Sequence, residues 1–211
     1  MARKTVHFAV YDALADWEIG HAIAHIRDNS AHRPPRDTYE TVSVGASRGG
    51  IVTSIGGMHI QADAALDELR PQDSSLLILP GSGLYDQGDE LAPFARKARE
   101  FLDAGVPVAA ICGATAGLAR EGLLDERAHT SGAAEYLAAQ PGYKGHDHYA
   151  DADAVTDGDL ITAGPAHPVP FAREIFRRLG LHEPAVLDAW ERLFGAGDPT
   201  AFPVLMEASA K

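Results

Sequence analysis

The stretch Val106 to Ala119, VPVAAICGATAGLA, constrains the fold more than any other part of the 211-residue chain. A short apolar run, Val106 to Ile111, leads directly into Cys112, and a string of small residues, Gly113 to Ala119, follows with helical character. The pattern is strand, sharp turn, helix, with a nucleophilic side chain at the corner. Such a turn is tight and needs small residues two places either side of the nucleophile. Ala110 and Ala114 stand there. A thiol at this corner lies over a helix N-terminus, whose partial positive charge favours thiolate. Cys112 is the only cysteine in the chain. Free cysteine is among the most buried residue types, so the alternative reading is a side chain that merely fills the core.

The rest of the chain supplies the elements that such a corner needs. Thr5 to Tyr11 is a β-rich run with apolar residues on both faces, as in a central parallel strand. Asp16 is placed as the N-cap of a helix in which Trp17, Ile19, Ala22, Ile23 and Ile26 fall near helical spacing. Residues 29–37 form a polar, Pro-bearing loop, and Thr38 to Ser47 alternates like a strand. Ile51 to Ile60, with Gly56-Gly57, predicts a small hairpin, and Ala62 to Leu69 a short acidic helix or turn. Leu76 to Leu79 is the strongest buried-strand signal and ends in Pro80-Gly81-Ser82-Gly83. Glu90 to Ala104 is amphipathic. Ala133 to Ala139 reads as a short helix, and Asp157-Gly158 marks a second hairpin. Pro168 to Leu179 is a helix stopped by Gly180, and two further helical stretches follow from Pro184. Strands alternating with helices imply a mostly parallel sheet covered on both faces. Ligands of such sheets bind at the carboxyl ends of the strands. Asp12 to Glu18, Pro80 to Gly83 and Cys112-Gly113 all follow strand ends, so three loops converge on one crevice.

Composition narrows the function classes. The net charge of −12 argues against nucleic acid and against an anionic membrane surface as partners. No apolar run approaches the ~20 residues needed to span a bilayer. The apolar stretch near the N-terminus is too short for a signal peptide, and a lone cysteine fits a reducing cytoplasm. Gly81-Ser82-Gly83 does not make a dinucleotide fingerprint, because the third glycine position holds Asp86.

Glu18 has two readings. It complements the helix dipole, or it sits against Trp17 and Ile19 in an apolar pocket that raises its pKa. In that pocket it would donate a hydrogen bond when protonated, or act as a general base when ionised. Gly81 and Gly113 are candidate oxyanion donors through their backbone amides, or simply turn residues. Asp16, Trp17, Ser82, His129, Ser131 and His167 are candidate pocket residues, although each histidine taken alone reads more readily as structural. His21 and His25 lie one turn apart on the first helix. His146 and His148, near acidic residues, read as a solvated loop rather than a metal cluster, and no metal or organic cofactor is expected.

Taken together, ADWEIG around Glu18, LLILPGSG around Gly81, AAICGATAGLAREGLLDERAHTS around Cys112 and DADAVTDGDLITAGPAHPVPFAREI resemble the ThiJ/PfpI superfamily, within the class I glutamine-amidotransferase-like folds. The resemblance covers most of residues 4–179. It implies a flavodoxin-like α/β sheet with hairpin additions over residues 1–183, and residues 184–211 as a C-terminal helical extension of the same domain. It also implies a reactive Cys112, a partner carboxylate at Glu18, backbone donors near Gly81 and Gly113, and a homodimer. The peptidase branch carries a histidine directly after the cysteine, where this chain has Gly113. The isocyanide branch has threonine there and relies on a first-loop aspartate, to which Asp16 is only near. The chaperone/deglycase branch has a histidine at about the position of Ser131, with His129 two residues earlier. Two expectations follow. One is a cofactor-independent cysteine enzyme acting on a small reactive carbonyl or amide-like substrate. The other is a redox sensor or chaperone whose Cys112 oxidises to sulfenic or sulfinic acid.

Overall fold

The computed structural model describes residues 4–28 and 38–210; the expected loop at 29–37 lies outside the described residues. The strands are β1 (Lys4–Ala9), β2 (Tyr39–Gly45), β3 (Ile51–Thr53), β4 (His59–Gln61), β5 (Ala64–Ala65), β6 (Leu76–Leu79), β7 (Val108–Ile111), β8 (Ala154–Asp157) and β9 (Leu160–Ala163). The helices are α1 (Asp16–Arg27), α2 (Ala92–Asp103), α3 (Gly113–Arg120), α4 (Ala134–Ala138), α5 (Pro168–Leu179), α6 (Pro184–Ala196) and α7 (Phe202–Ala210). Seven of the described strands form one sheet in the order β5-β2-β1-β6-β7-β9-β8. All neighbours run parallel except β8, which pairs antiparallel with β9 across the Asp157-Gly158 turn. This is the mostly parallel, two-sided sheet that the alternation of elements predicts, and the flavodoxin-like fold that the resemblance implies.

Chain direction in the sheet decides where the site lies. From β1 the chain crosses outward to β2, whereas from β6 it crosses the opposite way to β7. Right-handed crossovers then place α1 and α2 on opposite faces. The reversal falls between β1 and β6, whose carboxyl ends open into the crevice typical of such switch points. The four residues of β6 and the four of β7 are all buried, as continuous apolar runs in a two-sided sheet should be. Each Leu, Ile or Val in these two strands contributes roughly 1.5–3 kcal/mol by burial.

Several local expectations change. Asp16 is the first residue of α1 and not its N-cap; Ala15 holds that position and caps with no side chain. The Asp16 carboxylate instead accepts from the Ser54 hydroxyl (2.6 Å) and the Gly56 amide (2.9 Å), tying the β3–β4 hairpin to the start of α1. Trp17 does not belong to the buried stripe. It is 50% exposed, with its indole nitrogen 3.5 Å from the Pro165 carbonyl. Ala62 to Leu69 carries a two-residue edge strand, Ala64–Ala65, too short to show periodicity, and the expected turn follows it at residues 66–68. Residues beyond Pro184 fold as α6 and α7. Trp190 is buried against His25 and Phe176, with ring centroids 5.3 and 4.9 Å away, so α6 seats on α1 and α5 through a cluster of aromatic rings and histidines. Arg173 adds ion pairs to Asp188 (2.8 Å) and Glu191 (2.7 Å). Among the described residues no helix is long and apolar enough to cross a membrane.

Candidate active site

Cys112 stands between the last residue of β7 and the first of α3, at φ 57° and ψ −128°. A side chain there is strained; among the described residues only Ala13, in the loop after β1, shares a positive φ without being glycine. Ala13 follows β1 and Cys112 follows β7, both at the carboxyl edge of the sheet. Ala110 and Ala114 are fully buried, which leaves no room for larger groups beside the turn. The corner is pinned by hydrogen bonds. The Cys112 amide donates to the Ala163 carbonyl (3.0 Å), and the Cys112 carbonyl accepts from the amide (3.0 Å) and the hydroxyl (2.6 Å) of Thr115. The Thr115 hydroxyl in turn lies 2.7 Å from that of Ser131.

Glu18, in the first turn of α1, has no exposed surface. Its Oε2 accepts from the Gly81 amide at 2.6 Å. Its Oε1 is buried and accepts no well-aligned hydrogen bond, although the carboxyl and the Cys112 thiol are in direct contact. Gly81 explains how they meet. A Cβ at that position would stand 2.7 Å from Cys112 Cβ, 2.8 Å from Glu18 Oε2 and 2.9 Å from Cys112 Sγ. Any side chain there would wedge the pair apart. The Gly81 amide, expected as an oxyanion donor, is therefore engaged by Glu18. The Gly113 amide interacts with the Cys112 sulfur.

Burial raises the Glu18 carboxyl above its ordinary range, against the lowering effect of the Gly81 amide and the thiol contact. Burial, reinforced by the charge and hydrogen bonding of Glu18, pushes the Cys112 thiol up to about 12; the Gly113 amide opposes it and Asp86 adds to it. Both shifts point the same way because burial penalises the charged form of each group, and for Cys112 the charge of Glu18 adds to it. A thiolate beside an ionised Glu18 is therefore disfavoured. The helix N-terminus alone does not make a thiolate here; burial and Glu18 outweigh it.

The other candidates fall into three groups. Ser131 reaches the elbow through Thr115, and Ser82 braces the loop after β6 by donating to the Asp12 carbonyl (2.9 Å) and accepting from Leu84 (3.2 Å). Asp16 and Trp17 border the site from outside and do not line Glu18. His129 is buried elsewhere, with its ring nitrogens against the Arg127 carbonyl and the Tyr143 hydroxyl (both 2.7 Å) and its pKa lowered by burial. His167 is turned to Asp153 (3.2 Å). Neither histidine makes a hydrogen bond to Cys112. His146 and His148 lie in a short 3-10 turn, and among the described residues no group of three or more His, Cys, Asp or Glu side chains is placed to hold a metal ion.

Sequence reasoning missed four residues. Tyr11 donates from its hydroxyl to the Pro80 carbonyl and packs edge-on against Tyr85 beneath the site. Tyr85 also fills the space beside Gly113 and Gly117. Tyr136 of α4 donates to Asp86 at 2.8 Å, and its hydroxyl is close enough to Cys112 for the charges of the two groups to interact. The one visible signal was Asp86 itself, the residue that breaks the glycine pattern after β6.

Comparison with known proteins now decides the family. The profile described as the DJ-1/PfpI family matches residues 4–178. The chain belongs to the DJ-1/PfpI family. This DJ-1/PfpI protein is 35% identical over 207 residues to YoaZ of Bacillus subtilis (strain 168), named an uncharacterized protease, with 98% of each chain covered. It is 28% identical over 138 residues to a protein of Pyrococcus abyssi named a deglycase, covering 63% of this chain and 77% of that one. Among solved structures, a thiJ/pfpI family protein of Bacillus anthracis superposes with a TM-score of 0.90 at 34% identity, covering 99% of this chain and 98% of that one. The family profile ends within α5, so α6 and α7 extend beyond it, whereas the YoaZ and Bacillus anthracis matches run nearly the whole length.

Proposed function

We propose that this DJ-1/PfpI protein is a cofactor-independent cysteine enzyme for small reactive carbonyl or amide-like substrates. The observation that carries the proposal is the fully buried Glu18 in contact with the thiol at a strained elbow. In the proposed step the thiol proton moves to Glu18 and the sulfur attacks the substrate carbon. The carbonyl electron pair collects on oxygen beside the Gly113 amide, and Glu18 returns the proton to that oxygen. Gly81 acts by aiming the carboxyl. A homodimer and a cytoplasmic location belong to the same reading. The exposed Trp17, Ile51, Ile55 and Met58 near the hairpin support pairing, and light scattering of the purified chain tests it.

A peptidase of the cysteine–histidine type is disfavoured despite the protease-named relatives. A Cβ on residue 113 would meet the Ser82 carbonyl at 2.9 Å and the Tyr85 ring at 3.3 Å, so a histidine after the cysteine has no space. The sensor reading has its own support: the unpartnered Glu18 Oε1, when protonated, would donate to an oxidised sulfur. Methylglyoxal and a panel of small carbonyls and amides, tested on wild type and Cys112→Ala, separate the two. Cysteine-dependent turnover supports the enzyme. Absence of turnover with mass gains of one or two oxygens on Cys112 supports the sensor.

A further inference from the structure

We propose that Asp86, held in place by Tyr136, sets the charge preference of the Cys112 site: neutral electrophiles react in preference to small electrophiles that carry a carboxylate. The inference rests on the reading of Cys112 as the group that meets an electrophile, and it names the substrate class. Asp86 ends the short 3-10 turn Gly83–Asp86 that follows Gly81, and the preceding residue, Tyr85, packs beside Gly113. Tyr136 reaches over from α4 and donates to Asp86 Oδ1 at 2.8 Å, joining two elements that both contact α3. That bond fixes the direction of an otherwise exposed carboxylate at the mouth of the site, near enough for its charge to act on the thiol.

Arg120 is the cation beside this acid: it donates to the carbonyls of Tyr85 (2.6 Å) and Gly88 (3.4 Å) and to the Gln140 side chain (2.9 Å), keeps its charge, and offsets part of the Asp86 field. The charge of Asp86 nevertheless reaches the thiol. Glu18 is the other acid beside the sulfur, but in the reacting form it carries the thiol proton and is neutral. Asp86 is then the fixed charge that an incoming group meets. Across a watery dielectric, repulsion by the Asp86 carboxylate slows an incoming anion about two- to five-fold relative to a neutral analogue.

Iodoacetamide and iodoacetate differ chiefly in charge, and Cys112 is the only cysteine, so intact mass reads its alkylation alone. The ratio of the two rate constants is measured for the protein at low salt and divided by the same ratio for N-acetylcysteine amide. Wild type is expected to exceed unity by about two- to five-fold, and Asp86→Asn to fall toward unity. Tyr136→Phe is expected to lie between them, and ~1 M salt, with a Debye length of about 3 Å, to abolish the difference. Asp103→Asn, an exposed acid at the end of α2, is expected to change nothing. An unchanged ratio in Asp86→Asn, an equal change in Asp103→Asn, or a folded wild type that neither reagent labels overturns the proposal. Failure of carbonyl turnover with the ratio intact overturns the enzymatic reading and leaves the charge preference standing.

Discussion

Replacing Glu18 with glutamine tests whether the site shares one proton or simply suppresses its thiolate. With Glu18 ionised the thiol sits at about 12, so at pH 7 loss of its proton to water faces about five pKa units. At ~1.36 kcal/mol per unit that is roughly 7 kcal/mol, or about one molecule in 10⁵. A reactive sulfur at neutral pH therefore needs the proton to move onto Glu18. Glu18→Gln removes the acceptor and keeps the shape. The lone thiol, relieved of a negative neighbour but still buried, falls below 12 and stays above the ordinary thiol range. The expected result is a loss of about 10²- to 10⁴-fold in iodoacetamide labelling at pH 7, the contribution of a positioned base. In the variant the rate should climb about tenfold per pH unit toward pH 9, as thiolate forms by simple ionisation. In wild type it should stay flat over that range. Stability gives an independent sign. The Glu18 pKa is raised on folding, so its favourable contribution is complete below its ordinary value of 4.5 and is lost as pH rises through the folded value. Above that window the glutamine variant should melt higher than wild type. A variant that labels as fast as wild type at pH 7, or faster, would refute proton sharing and leave Glu18 as a repelling charge only.

Gly113→His should lower the melting temperature by the equivalent of about 1–3 kcal/mol and yield no peptidase activity on a fluorogenic peptide, because the new side chain meets the Ser82 carbonyl and Tyr85. Asp16→Ala should cost about 1–3 kcal/mol and speed hydrogen exchange at the Gly56 amide, which loses its acceptor while the α1 backbone is retained. Trp190→Ala should cost about 3–5 kcal/mol and loosen α6 from α1 and α5, seen as faster proteolysis near Pro184. Trp190→Phe should be far milder, since the buried indole nitrogen has no hydrogen-bond partner among the described residues.

Local physics made much of this molecule legible. Leu76 to Leu79 and Val108 to Ile111 read as two-sided strands from their shortness and the Gly-bearing turns after them, Gly180 ends α5 with a left-handed backbone, and Asp157-Gly158 turns β8 into β9. The elbow could be read because its sterics are local: Ala110, Cys112 and Ala114 lie within five consecutive residues. What was misread depends on contacts distant in sequence. Asp16 looks like a cap until the hairpin, 38 residues away, claims its carboxylate. Trp17 follows helical spacing, but spacing at a helix start does not say which face the sheet will cover. The Gly81 amide looks free until Glu18, 63 residues earlier, folds against it. Tyr136 and Asp86 are 50 residues apart and carry no motif. The protonation of Cys112 was misjudged because a helix dipole can be read from order along the chain, whereas burial beside a second acid cannot.

The backbone at Cys112 has a consequence for how such a protein evolves. A glycine would sit at φ 57° without strain, so selection for stability alone would favour glycine at this corner. A thiol kept there is retained against the folding interest of the chain. Lineages that lose the chemistry should drift toward glycine at position 112 while keeping Ala110 and Ala114, which the turn needs whatever stands between them.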